Sequence, residues 1–222
     1  RHEISEGYDF KSGIIGDRYR WPNNTVPLTF SSTFSKKSSH TFSFNFLDLL
    51  TVNLVLSPEI SEKTCIQFVY RSNERDYVSV VRGEQNSGCW SDVGKIGGEQ
   101  VLNLNPPGRK SGCIIHGIVI HEMMHALGFH HEQSRTDRDD YVTIFWDNII
   151  PGEKHNFDKY SRSEVDSQGL AYDYGSIMHY PTNMFALDTS RPTILPKRNV
   201  KIGQRKRLSA TDTQRLRNMY RC

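Results

Sequence analysis

Apolar positions in the first half of the chain recur mainly with a period of two. Ile66, Phe68 and Tyr70 alternate with polar neighbours between Cys65 and Arg71, Tyr77–Val81 is rich in β-branched residues, and Val101–Leu104 follows the turn-rich stretch Gly94–Glu99. Short strands of one sheet are the prediction. Upstream, Ile14–Phe30 spaces its apolar residues between turn signals at Gly16-Asp17 and Pro22-Asn23-Asn24, as an extended arm leading into a first strand would. Between Ile114 and Leu127 the period disappears and apolar residues occupy nearly every side, which predicts a buried helix. The chain beyond is loop-rich until a last helical stretch, Ser209–Tyr220, whose opening Ser209-Ala210-Thr211-Asp212 has capping-box spacing. These elements make an α+β chain, with an N-terminal sheet, a buried helix, and a loop-rich C-terminal part closed by a terminal helix. The stretch Ser31–Ser43 is polar, Phe42, Phe44 and Phe46 alternate, and an unpatterned apolar run follows; this segment is not placed.

Composition narrows the class. With 222 residues, 36% hydrophobic, 11% aromatic and a net charge of +3, the chain has core material for one domain or two lobes and too little charge to stay open. The apolar run Phe42–Leu56 carries Asn45, Asp48 and Asn53, so it is too short and too polar to cross a bilayer. Four cysteines, Cys65, Cys89, Cys113 and Cys222, lack any C-x-x-C spacing and read as two disulfides formed in an oxidising compartment. The sequon Asn23-Asn24-Thr25 points the same way. No nucleic-acid motif is present. The basic run Lys197, Arg198, Lys201, Arg205, Lys206, Arg207 reads as a solvated surface, with weak binding of acidic polysaccharide as the alternative.

Chemistry concentrates on the central helix, in His121-Glu122-Met123-Met124-His125. Imidazoles at i and i+4 lie about 6 Å apart on one face and converge on one ion, and the adjacent Glu122 reaches water bound there. Continuation to Gly128 and His131 completes H-E-x-x-H-x-x-G-x-x-H. Gly128 suits the left-handed turn that ends a helix, and that turn returns His131 to the same ion. His130 is the competing third ligand, and spacing selects His131. Three neutral imidazoles leave one coordination position open, the arrangement of catalytic zinc.

The string His121 to Val142 resembles the signature of the astacin family of metzincin zinc endopeptidases, H-E-x-x-H-x-x-G-F-x-H-E-x-x-R-x-D-R-D-x-Y-V, and Ser176-Ile177-Met178-His179-Tyr180 resembles its Met-turn. Likeness extends from Ile14 to Cys222 through Ile14-Ile15-Gly16-Asp17, Thr64-Cys65-Ile66, Gly88-Cys89-Trp90-Ser91 and Leu208–Asp212. It implies a metzincin-like two-lobed catalytic domain with the site in the cleft, one Zn2+ held by His121, His125 and His131, and Glu122 as general base and acid. It further implies Tyr180 as an extra ligand that swings to the oxyanion, and Met178 beneath the metal. Cys65 would pair with Cys222 and Cys89 with Cys113, one of three pairings that four cysteines allow. The stretch around Cys89, Trp90 and Ser91 would be the sheet edge on which extended substrate is laid.

The family link between Phe30 and Thr64 is shorter and carries an amphipathic helix, whereas Ser31–Pro58 is longer and without helical period. A helix formed against propensity, an unusual insertion and a gene-model artefact are the three readings. Residues 1–11 read as a propeptide remnant or N-terminal extension, with Asp9 a weak candidate for the family's inhibitory aspartate, and 12–222 as the catalytic domain. Family maturation buries a freed N-terminus near Glu132, which places the mature start close to Ser12 and suits a trypsin-like activating protease. The expectation is a secreted, monomeric zinc endopeptidase acting on internal bonds of extracellular proteins, with no nucleic-acid partner and no membrane span. Rival readings are a non-catalytic secreted metal-binding module and a catalytic domain impaired by residues 31–58.

Overall fold

A computed structural model of the chain describes residues 13–31, 59–84, 87–105, 112–161 and 163–222. The extension 1–11 with Asp9 and the Lys11–Ser12 boundary, and all of Ser31–Pro58 except Ser31, lie outside the described residues.

The N-terminal lobe is a five-stranded sheet in the order β3 (Gln67–Tyr70), β2 (Thr25–Phe30), β4 (Tyr77–Val81), β6 (Glu99–Leu104), β5 (Cys89–Ser91). The first four run parallel, and β5 is antiparallel to β6 in the register Cys89 to Leu104, Trp90 to Asn103, Ser91 to Leu102. Val26, Leu28, Val78, Val80, Leu102 and Leu104 stand at alternate positions of three neighbouring parallel strands and so form one buried face of the sheet, part of the core that also holds Val119, Ile120 and Met123. Pro27 sits inside a central strand without breaking it, because the pairing of β2 with β4 begins only at Leu28.

Helix α1 (His116–Ala126) packs on β5 and β6. Val119, Ile120, Met123, Met124 and Ala126 are fully buried, consistent with an apolar surface on all sides. Its start lies so close to the backbone of Arg205 that a Cβ on Gly117 would fall 2.1 Å from the Arg205 carbonyl. Its end is a Schellman turn: Gly128, at φ +102°, donates to His125 O, and Phe129 N donates to Met124 O. The remaining end carbonyls are taken by distant groups, Ala126 O by Trp21 Nε1 at 2.9 Å and Leu127 O by Tyr220 Oη at 3.1 Å. Burial without such donors would leave polar groups unpaired at a cost of about 1–3 kcal/mol each.

The C-terminal lobe holds short pairings, β1 (Gly13–Ile14) with β8 (Val165–Asp166) and β7 (Val142–Ile144) with β9 (Ile194–Pro196), the latter part of a second core with Ile149, Phe157, Tyr172 and Tyr180. Helix α2 (Ala210–Tyr220) closes the chain, with the Ser209/Asp212 capping box formed in both directions. Cys65 is bonded to Cys222 and Cys89 to Cys113. The first bridge ties the end of α2 to the N-terminal lobe across a sequence separation of 157 residues. Replacing Cys65 and Cys222 by Ser is expected to lower the unfolding free energy by about 2–5 kcal/mol. At this chain length that is a fall in melting temperature of roughly 5–15 °C, measured by thermal unfolding. A melting point unchanged from that of the parent chain would show that the bridge stabilises nothing.

Candidate metal centre

Helix α1 presents His121 and His125 on one face, and the turn at Gly128 brings His131 back against both. Nε2 of His131 lies 3.3 Å from Nε2 of His121 and 3.2 Å from Nε2 of His125, and the three ligand atoms lie within 4.8 Å of one another. The far nitrogens of the helical pair are fixed by backbone: His121 Nδ1 lies 2.8 Å from Ile177 O, and His125 Nδ1 lies 2.7 Å from Phe129 O. A carbonyl can only accept, so each Nδ1 carries the proton and each Nε2 turns a lone pair inward. Burial, reinforced by the Arg205 charge and by neighbouring histidines, holds His121 and His131 well below the ordinary imidazole range and brings His125 to about 4. The rings are therefore neutral. Lone pairs pointed at each other over about 3.2 Å repel unless a cation lies between them. Zinc–nitrogen bonds of about 2.0–2.1 Å at tetrahedral angles put ligand nitrogens roughly 3.3–3.4 Å apart, so the donor set fits that ion. No fourth His, Cys, Asp or Glu joins the group among the described residues.

Glu122 is buried beside His121, and burial raises its carboxyl to about 8. A divalent cation in the adjacent histidine cluster would favour the ionised form. Tyr180 is also buried, its ring centroid 4.4 Å from that of His131, and burial raises its phenol, which stays protonated at neutral pH. Met178 is buried, its N–H donates to Ser176 Oγ and its carbonyl accepts from Glu132 N. His130 faces away, its ring centroid 4.0 Å from that of Tyr160. Beside the cluster, Gly94 N donates to His125 O, so the chain leaving β5 is fastened to α1. Trp90 on β5 is 46% exposed, and β6 is the one strand paired with β5 among the described residues.

Glu132, expected near a freed N-terminus, is fully buried and engaged by Arg215, Arg135 and the Asp173 N–H. Burial would raise its carboxyl, but these partners outweigh burial and hold it below the ordinary value.

Several residues of the site carry no clear signal in the sequence. Arg205, which its basic neighbours assign to a solvated surface, is half-buried: it donates to His179 O at 3.0 Å, and its charge acts on all three histidines, Glu122 and Tyr180. Arg135 forks onto Asp137 at 2.8 and 2.9 Å, and Arg138 donates to the carbonyls of Gln133 and Phe157. In the sequence these are legible only as letters of the signature. Asp212 signals a helix cap and is a letter of the family likeness over Leu208–Asp212, with no hint of a tie to the metal site, and Arg215 signals nothing.

Residues 14–221 match the family described as Astacin, a peptidase family. The chain is 42% identical over 203 residues to zinc metalloproteinase nas-15 of Caenorhabditis elegans, which covers 91% of this chain and 32% of that protein. It is 40% identical over 216 residues to high choriolytic enzyme 1 of Oryzias latipes, covering 90% of this chain and 74% of that protein. The chain thus spans about a third of one relative and three quarters of the other. The solved structure of high choriolytic enzyme 1, described as a hatching enzyme zinc-protease, superposes with a TM-score of 0.78 at 39% identity over 91% of this chain and 93% of that one. Myroilysin, at 21% identity and a TM-score of 0.62, shares the fold.

Proposed function

The chain belongs to the astacin family of zinc endopeptidases, and from that premise we propose that His121, His125 and His131 hold one zinc ion and that Glu122 drives hydrolysis of internal peptide bonds in extracellular proteins. The observation that carries this reading is the convergence of three neutral Nε2 lone pairs beside a buried carboxylate. Zinc held there supplies a Lewis acid that polarises a carbonyl and acidifies water. Glu122 takes the proton of the attacking water and returns a proton to the departing amine. The protonated phenol of Tyr180 donates a hydrogen bond to the oxygen on which negative charge develops. Met178 and the carbonyls of Ile177 and Phe129 fix the floor and the tautomers of the ligand rings. Cys89, Trp90 and Ser91 offer a backbone edge to which an extended peptide adds as a further strand, with Trp90 beside it as an apolar contact. Main-chain pairing of that kind reads few side chains.

Residues 12–222 form the peptidase domain in this reading, with 1–11 an extension removed at activation by cleavage after Lys11. Two disulfides support a secreted, extracellular location. No helix among the described residues is long and apolar enough to cross a membrane.

The test is digestion of a mixed peptide library by the zinc-loaded chain, with fragment ends read by mass spectrometry. Cuts at internal bonds are expected; release of terminal residues alone would overturn the endopeptidase assignment. The same digestion reads side-chain preference. The half-buried Arg205 places positive charge near Glu122 and Tyr180, so peptides with Asp or Glu next to the cut bond are favoured. A charge-assisted contact of about 1.5–3 kcal/mol corresponds to roughly tenfold or more in that preference. Arg205→Gln is expected to abolish it while peptides with neutral neighbours are still cut. Equal acidic preference in both proteins would remove Arg205 from substrate selection.

A further inference from the structure

Two of the three histidines are tied, each through one intermediate, to the same face of the terminal helix. Asp212, fully buried in the first turn of α2, accepts from Ser176 Oγ at 2.6 Å and from Ile177 N at 2.8 Å. The Ile177 carbonyl is the acceptor for His121 Nδ1. One turn further along, Arg215 grips Glu132 with both guanidinium ends, at 2.6 and 2.9 Å. Glu132 follows His131 directly in the chain, and its N–H donates to Met178 O. Positions i and i+3 share a helix face, so one rigid element sets both connections. His125 has no such tie, because its Nδ1 is capped by Phe129 O within its own helix end.

We propose that Asp212 and Arg215 are positioning residues of the metal centre, Asp212 aiming His121 through Ile177 and Arg215 aiming His131 through Glu132. This rests on the reading that the three histidines hold zinc. A helix cap needs only the exchange between Ser209 and Asp212, Asp212 N to Ser209 Oγ and Ser209 N to the Asp212 carboxylate; it would not require the same carboxylate to accept also from Ser176 and Ile177 of the Met-turn. Arg135 and Arg215 together balance Asp137 and Glu132, but charge balance alone fixes no orientation; the two-pronged grip of Arg215 does, because it holds both oxygens of the Glu132 carboxylate. Partners one step outside the ligands commonly carry ten- to hundredfold of metal affinity.

Zinc affinity is measured by competition with a chelator on metal-free chain, alongside the visible spectrum of the Co2+-loaded form and thermal unfolding of the metal-free form. Asp212→Asn and Arg215→Lys keep size and change the hydrogen bonds. Each is expected to lower zinc affinity by about ten- to hundredfold and to alter the Co2+ spectrum. Arg217→Ala, which loses a contact of the same helix to the Lys63 carbonyl, is expected to leave both within about twofold. Variants that melt cooperatively without metal yet bind zinc as tightly as the parent chain would overturn the proposal. Should Asp212→Asn fail to fold, Ser176→Ala, which removes the hydroxyl shared by Asp212 and the Met178 N–H, decides for that arm, and should Arg215→Lys fail, Glu132→Gln, which weakens the grip of Arg215, decides for the other: roughly tenfold weaker zinc binding supports the proposal and parental affinity overturns it. A parent chain that binds zinc but cuts no peptide would remove the peptidase reading and leave this one intact.

Discussion

Glu122→Gln is expected to lower peptide hydrolysis by at least about a hundredfold, and up to about ten-thousandfold, while zinc content stays at one per chain. Gln fills the same volume and is neutral, as the buried carboxyl is before a cation enters, so the helix core of Val119, Ile120 and Met123 has no reason to repack. What is lost is a group that can accept a proton from water and pass it on. The comparison must be made at matched zinc content and with melting curves in hand. If the variant holds zinc, melts like the parent chain and still cleaves at a comparable rate, Glu122 is not the base.

The second large effect separates adjacent histidines. His131→Ala removes a donor whose Nε2 lies 3.2–3.3 Å from those of both other rings, leaving two. A loss of zinc affinity and of hydrolysis greater than about a hundredfold is expected, since even partners outside the ligand set are commonly worth that much. His130→Ala removes a ring packed on Tyr160, away from the cluster, and is expected to change hydrolysis by no more than about threefold. Zinc affinity by chelator competition and rates on one quenched peptide give both numbers. The reverse ranking would move the third ligand to His130 and contradict the spacing rule that selected His131.

How much was legible follows from where each residue's partners sit. The strands β3 and β4 and both helices were readable because their signals are local: alternation, an all-round apolar run, a serine three residues before an acid. Strand β6 begins at Glu99, two residues before the apolar stretch that betrayed it, because Gln100 is a buried polar residue whose side chain bonds Gly94 O. Strands β1, β7, β8 and β9, of two or three residues each, are too short to show any period. The metal ligands were legible because helix geometry and one glycine turn determine their convergence within eleven residues. The outer connections were not, since Asp212 meets Ser176 and Ile177 across 36 and 35 positions and Arg215 meets Glu132 across 83. Arg205 misled for a related reason. Its neighbours Lys206 and Arg207 are exposed, whereas Gly117 lets the Arg205 backbone close on α1 and turns that one cation inward.

The most direct test of the central claim is a zinc titration of the metal-free chain with hydrolysis of a quenched peptide followed at each addition. Activity is predicted to start from background, to rise in proportion to bound zinc and to level off at one ion per chain. Hydrolysis already present without metal, or a folded chain that fills with zinc and never cleaves, would contradict the account.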